Sequence, residues 1–271
     1  MPLSWGIETV PDYEGKLTTM LYRPSIDDNH QRTVVFIPGD VSDFAFSHSG
    51  DALFEGFPDV NEYIFTLENV CWEISSRIPE DFAIAVCKPA FMVGCSSVFS
   101  NFVPSDIVGT PRWGDIARFG TSLTPGRILL SLLESLRCKL HPPSGGIGSI
   151  WLIGFSKGCV VLSGILKERF PDLLSRIQTI TFIDPGLHSE DATFGFGEDD
   201  FASFPRNIPI NLWVSPYQFN DPLRPWLQRE ILYIEGRTTA KLTLILKDKP
   251  RSLQAHFHSI SVVLENSFRS V

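Results

Sequence analysis

An apolar run, Ile150-Trp151-Leu152-Ile153, leads straight into Gly154-Phe155-Ser156-Lys157-Gly158, and the chain continues as a second apolar run, Cys159-Val160-Val161-Leu162. Five residues leave no room for an independent loop, so the segment reads as a strand turning tightly into a helix. A helix that follows a strand so closely belongs to a β-α-β crossover, the connection that joins parallel strands. The rest of the chain repeats the alternation. Short runs rich in β-branched residues at Lys16–Tyr22, Thr33–Ile37, Phe82–Cys87, Ser149–Ile153, Thr179–Ile183, Ile210–Val214 and Lys241–Leu246 predict strands, several apolar throughout as in a sheet covered on both faces. Pro125–Leu140 carries Ile128, Leu129, Leu132, Leu133 and Leu136 at helical spacing, and Lys157–Phe170 and Ile260–Phe268 repeat the pattern. The expected fold class is α/β, with a mostly parallel central sheet flanked by helices on both faces.

At 271 residues with 43% hydrophobic and 20% charged side chains, the chain has material for one sizeable core, and residues 1–271 are expected to form a single domain. Its net charge of −8 repels phosphate backbones and anionic lipid, which argues against nucleic-acid and membrane-surface partners. The five cysteines form no Cys-x-x-Cys pair, which points to a reducing compartment and to no metal. Residues Met1 to Glu8 lack the plan of a secretory signal or transit peptide, so an intracellular, cytoplasmic chain is expected. The apolar stretch Ile150–Leu166 is broken by glycines, serines and Lys157, so no transmembrane segment is expected. Two long segments without period, Lys88–Thr124 and Pro185–Pro209, hold Phe91, Phe99, Phe102, Trp113, Phe194, Phe196, Phe201 and Phe204; they read as a lid or as pocket walls, the alternative being aromatics that pin loops to the core. Gly145-Gly146-Ile147-Gly148 precedes a strand, the wrong context for a dinucleotide, and Glu198, Asp199 and Asp200 lack the ligand spacing of a calcium loop. No cofactor is expected.

A serine on a strand-to-helix turn has its hydroxyl lifted above the sheet, and glycines two residues either side let strand and helix pass closely. Ser156 is therefore the candidate nucleophile, and it needs a histidine to take its proton and a carboxylate to orient that histidine, in chain order serine, acid, histidine. Of the downstream His188, His256 and His258, the last two follow the final strand, in the loop before the C-terminal helix. His256 is preferred because Phe257 and Ile260 can anchor it, with His258 as the alternative. For the acid, Asp221 after the strand Ile210–Val214 is preferred over Asp184, because it lies on the strand neighbouring the histidine's. Asp184 in Asp184-Pro185-Gly186 has a simpler explanation as the start of a turn. The backbone N–H of Lys157 is the first candidate donor to an oxyanion, and that of Asp40 or Val41, after the strand ending in Ile37, is the second. An Asp40 carboxylate facing an oxyanion would oppose it, so its side chain must point elsewhere. Cys159 reads as a buried helix residue.

Phe36-Ile37-Pro38-Gly39-Asp40-Val41, Leu67-Glu68-Asn69-Val70, Gly109-Thr110-Pro111, Gly154-Phe155-Ser156-Lys157-Gly158-Cys159, Pro216-Tyr217-Gln218 with Asp221-Pro222, and His256-Phe257 together resemble a family within the α/β-hydrolase superfamily. It is named after the human chromosome 2 open reading frame 69 protein. The resemblance implies a serine-hydrolase fold, a catalytic set mapping onto Ser156, Asp221 and His256, and a mitochondrial association for animal members; it implies no substrate. Where the family has Asp-Gly-Gly-His, this chain has Asp184-Pro185-Gly186-Leu187-His188. Two functions are expected to compete: an esterase, lipase or thioesterase acting on a small-molecule or lipid-like apolar acyl substrate, and a catalytically inactive binding or scaffold protein on the same fold.

Overall fold

The computed structural model describes residues 5–26, 32–42, 66–114, 124–140, 147–187, 194–196, 200 and 204–269. Ten strands are described: β1 (Gly6–Pro11), β2 (Leu17–Arg23), β3 (Arg32–Ile37), β4 (Phe82–Cys87), β5 (Phe91–Val93), β6 (Ser96–Val98), β7 (Ile150–Phe155), β8 (Ile177–Ile183), β9 (Ile210–Val214) and β10 (Lys241–Leu244). The helices are α1 (Leu67–Ser75), α2 (Pro125–Leu140), α3 (Cys159–Glu168), α4 (Pro171–Leu174), α5 (Pro216–Phe219), α6 (Pro225–Arg237) and α7 (Leu253–Phe268). Eight strands form one sheet in the order β1-β2-β4-β3-β7-β8-β9-β10, and β5 pairs with β6 in a separate hairpin. The pairs β1/β2 and β2/β4 are antiparallel; from β4 to β10 every pair is parallel.

Alternation along the central strands feeds two cores. Val35, Ile37, Leu152, Ile180 and Phe182 pack on one face with α2 and α3, while Val34, Phe36, Ile153, Phe155 and Ile183 pack on the other with α1 and α7. This is the two-faced burial that continuous apolar strands require. The chain leaves β3 towards β4 on one side and later inserts β7 on the other. The carboxyl ends of β3 and β7 thus diverge at a topological switch point, the place where open α/β sheets form a crevice.

Several elements differ from the sequence reading, each for a local reason. Helix α3 begins at Cys159 rather than Lys157, because Ser156–Gly158 form a tighter 3-10 turn, and it stops at Arg169, whose left-handed φ of +56° ends the helix. Helix α7 begins well before Ile260, since the Ser252 hydroxyl caps it by accepting from the Ala255 N–H at 3.1 Å. His256 and His258 therefore lie inside a helix and not in a preceding loop. The segment 88–114 is structured by the β5/β6 hairpin, and its Phe99 and Phe102, like Phe194 and Phe204, are buried in the core, with Trp113 and Phe196 packed against it. Those aromatics fix loops to the core; Phe91 is exposed, and Phe201 lies outside the described residues.

Candidate active site

Ser156 opens the 3-10 turn with a φ of +51°, a left-handed conformation that strains any residue carrying a Cβ. Its neighbours explain how the turn is made. A Cβ at Gly158 would lie 2.3 Å from the Ile37 carbonyl oxygen and 2.4 Å from that of Pro38, so only glycine lets the turn pass the end of β3. At Gly39 a Cβ would come within 2.6 Å of the Ser156 Cβ, so the backbone after β3 lies directly against the serine.

The acid beside His256 is Asp184. Its Oδ2 lies 2.8 Å from the imidazole Nδ1, and both groups are buried. Asp184 also accepts from the Ser215 N–H on Oδ1 and from the Ser215 hydroxyl on Oδ2, each at 2.5 Å, and sits at the end of β8 with a φ of +45°. A carboxylate oxygen accepts, so the contact favours the tautomer in which Nδ1 donates to Asp184, leaving Nε2 as the acceptor nitrogen of the neutral ring. The ring stacks on Tyr217 at 4.5 Å and 26° and lies against Phe155, the residue before Ser156, at 4.4 Å.

Sequence reasoning prefers Asp221 as the acid, but the structure places Asp184, not Asp221, against His256. The expectation assumes a histidine emerging directly after the last strand, whereas α7 folds back over β9 and β8 and brings His256 to the end of β8. Helix α5 meanwhile carries the chain away from β9 before Asp221 is reached. Asp221 instead accepts from Arg224 Nε and Arg251 NH2, each at 2.6 Å, and from the Leu223 N–H at 2.9 Å. Those guanidinium groups lie 5.5 and 5.0 Å from the Tyr217 ring centre. His258, two positions further along α7 than His256, points about 200° away round the helix; it is exposed and lines a groove of about 410 Å³ with Asn69, Glu73 and Arg77. His188 lies outside the described residues.

Burial alone would raise the Asp221 carboxyl, but the bonds from Arg224, Leu223 and Arg251 outweigh it and lower it from 3.8 to about 2. A carboxyl held lower in the folded than in the unfolded chain stabilises the fold above its unfolded value, and that contribution is lost as pH falls through the folded one. Asp221→Asn should therefore be less stable than the wild type by about 2 kcal/mol at pH 7, with the gap closing between about pH 4 and pH 2. Urea unfolding followed by circular dichroism across that range checks it; parallel stability curves would refute the assignment.

Of the two expected second donors to an oxyanion, Val41 is excluded, because its N–H donates to the Cys95 carbonyl at 2.8 Å. The Asp40 carboxylate accepts from the Ser97 N–H at 2.7 Å and pairs with the Lys157 ammonium at 3.5 Å. Burial pushes the Cys159 thiol well up, and it donates to the Gly154 carbonyl at 3.2 Å, so it is a poor nucleophile. Among the described residues no group of three or more His, Cys, Asp or Glu is placed to hold a metal, and no helix is long and apolar enough to cross a membrane. Asp200 is paired with Lys167 and Arg169, while Glu198 and Asp199 lie outside the described residues. Sequence reasoning misses Ser215, Tyr217 and Phe155 as neighbours of the imidazole and its acid. The serine has a readable signal, since Ser215-Pro216 is a helix cap followed by proline in the first turn.

A sequence profile of the C2orf69 family matches residues 6–142 and 146–235. The human mitochondrial protein C2orf69 (Homo sapiens) is 33% identical, over 88% of this chain and 73% of its own. A zebrafish (Danio rerio) mitochondrial protein C2orf69 homolog is 26% identical, over 94% of this chain and 84% of its own. Among solved structures, esterase Est22 superposes with a TM-score of 0.54 at 13% identity, over 99% of this chain and 79% of that one. A Bacillus cereus carboxylesterase does so with a TM-score of 0.52 at 9% identity, over 94% and 95%. At such identities the likeness is one of fold, and with the mostly parallel sheet it makes this an α/β-hydrolase fold. With the profile matching most of its length, the chain belongs to the C2orf69 family.

Proposed function

We propose that this protein is a serine hydrolase that cleaves carboxylic esters or thioesters through an acyl-enzyme on Ser156. The observation that carries the reading is the 2.8 Å contact between His256 Nδ1 and Asp184, which leaves Nε2 as the only basic nitrogen of an imidazole lying against the residue before a strained serine. In the forward step the Ser156 hydroxyl oxygen bonds to the substrate carbonyl carbon while its proton passes to His256 Nε2. The carbonyl oxygen becomes an oxyanion held by the N–H groups of Lys157 and Asp40. His256 returns the proton to the departing alcohol or thiol as the acyl–leaving-group bond breaks. Water then repeats the sequence, releasing the acid and regenerating the serine. Asp184 accepts throughout and stabilises the imidazolium.

The substrate class is a small-molecule or lipid-like acyl compound, in keeping with the esterases that share the fold. A mitochondrial address is in keeping with the names of the relatives. The second reading, a non-catalytic binding or scaffold protein, is favoured by one observation: the Val41 N–H is already spent on Cys95, which removes one of the two candidates for the single donor expected from that turn. A fluorophosphonate probe separates the two. Covalent labelling of the folded wild type and none of Ser156→Ala is the expected result, together with turnover of p-nitrophenyl esters; an unlabelled wild type, or equal labelling of both proteins, would favour the scaffold.

A further inference from the structure

The residue after the nucleophile has a side chain that the proposed reaction does not use. Lys157 is buried, only 4% exposed, although it carries a cation. Buried ammonium groups are retained where they have partners, and Lys157 has two. It donates to the Val108 carbonyl oxygen and pairs with Asp40 Oδ1 at 3.5 Å. Gly109 makes the first contact possible: its φ is +80°, and a Cβ there would meet the Ser97 carbonyl oxygen at 2.4 Å and the Lys157 Cε at 3.1 Å.

The second partner lies on the turn that follows β3. That turn is tied to the β5/β6 hairpin and its connection by three hydrogen bonds: Val41 N–H to the Cys95 carbonyl at 2.8 Å, Ser97 N–H to Asp40 Oδ1 at 2.7 Å, and the Ser97 hydroxyl to the Gly39 carbonyl at 2.6 Å. Lys157 links this assembly to the strained turn at Ser156. It therefore bridges the two backbone segments that must keep register for two N–H groups to meet one oxygen. It also answers an electrostatic problem, since an uncompensated Asp40 carboxylate beside a developing oxyanion would oppose it.

We propose that Lys157 is a positioning residue for the oxyanion-binding turn: through the Asp40 carboxylate its ammonium holds the Asp40 N–H in register with its own N–H and offsets the carboxylate's charge. The proposal rests on the serine-hydrolase reading. A defect in this device appears in the transition state and not in substrate binding, so it separates kcat from KM.

The test measures kcat and KM on a p-nitrophenyl ester, and the rate of fluorophosphonate labelling, for the wild type, Lys157→Met, Asp40→Asn and the double variant. Lys157→Met should lower kcat and the labelling rate about 100-fold, the scale of losing one oxyanion donor, with KM within about threefold. Adding Asp40→Asn removes the uncompensated charge while keeping an acceptor for the Ser97 N–H, and should recover at least about tenfold of that loss. A folded Lys157→Met with unchanged kcat overturns the proposal, as does a double variant no better than Lys157→Met. If Lys157→Met does not fold, Asp40→Ala cuts the same tether from the other end; an unchanged kcat there overturns the proposal equally. A wild type inert to both probe and ester defeats the serine-hydrolase reading itself, and this proposal with it. A wild type that labels at Ser156 while Lys157→Met labels equally fast defeats only the role of Lys157.

Discussion

Asp184→Asn should lower kcat for ester hydrolysis by about 10³ to 10⁴-fold, whereas Asp221→Asn should lower it by less than about tenfold. An amide at position 184 can present its NH₂ to the imidazole, which then has to accept at Nδ1 and carry its proton on Nε2, the nitrogen required as base. Ser215 makes this outcome the expected one: its N–H already donates to Asp184 Oδ1 at 2.5 Å, so in Asp184→Asn the amide oxygen would take that position and the amide nitrogen would face the ring. Asp221 instead binds Arg224 and Arg251, whose guanidinium groups lie over the Tyr217 ring on which the imidazole stacks. Steady-state kinetics on both variants, each shown folded by circular dichroism, decides the matter. A larger loss in Asp221→Asn than in Asp184→Asn would return the acid role to Asp221.

Gly158→Ala should destabilise the protein by more than about 3 kcal/mol. The atoms its new methyl would meet are backbone carbonyl oxygens of Ile37 and Pro38, which no rotamer change can move aside. Either the end of β3 or the Ser156 turn must shift, and since both contribute to the site, residual activity should fall with stability. Gly236 provides the internal control: it lies in α6, where an added Cβ would have nothing within 4 Å, so Gly236→Ala should be neutral or stabilise by up to about 1 kcal/mol. Urea unfolding of the two variants measures both. Equal stabilities for Gly158→Ala and the wild type would mean that the close passage of turn and strand is not a constraint.

The parts of the site that can be read from sequence are those set by local sterics. Two glycines around a serine between an apolar run and a helix dictate a strained turn, because the crowding that demands them comes from residues adjacent in the chain or at the end of the neighbouring strand. The preference for His256 over His258 agrees with the pairing to Asp184, but the physical reason differs: both sit in one helix, and the helical rotation separates them. Which carboxylate meets His256 is not the one sequence reasoning prefers, because it depends on how α7 crosses the sheet, a packing decision made by Phe257, Ile260, Val263 and Leu264 against the core around Phe155 and Ile183. Nothing within Asp221-Pro222 or Asp184-Pro185-Gly186 records that crossing. The commitment of the Val41 N–H to Cys95 is similarly invisible, since its partner comes from a hairpin whose short strands carry too few residues for a period. Strand β1 escapes the sequence reading for the reason that edge strands usually do: its Ile7 faces solvent and only Val10 is fully covered.

His256 lies between two aromatic planes, Phe155 on one side and Tyr217 on the other. For the imidazole to turn over, both neighbours would have to part, and Phe155 is anchored in the core of the sheet. The two planes thus restrict the ring to one orientation, so that under the proposed hydrolysis the imidazole would not have to find it anew at each turnover.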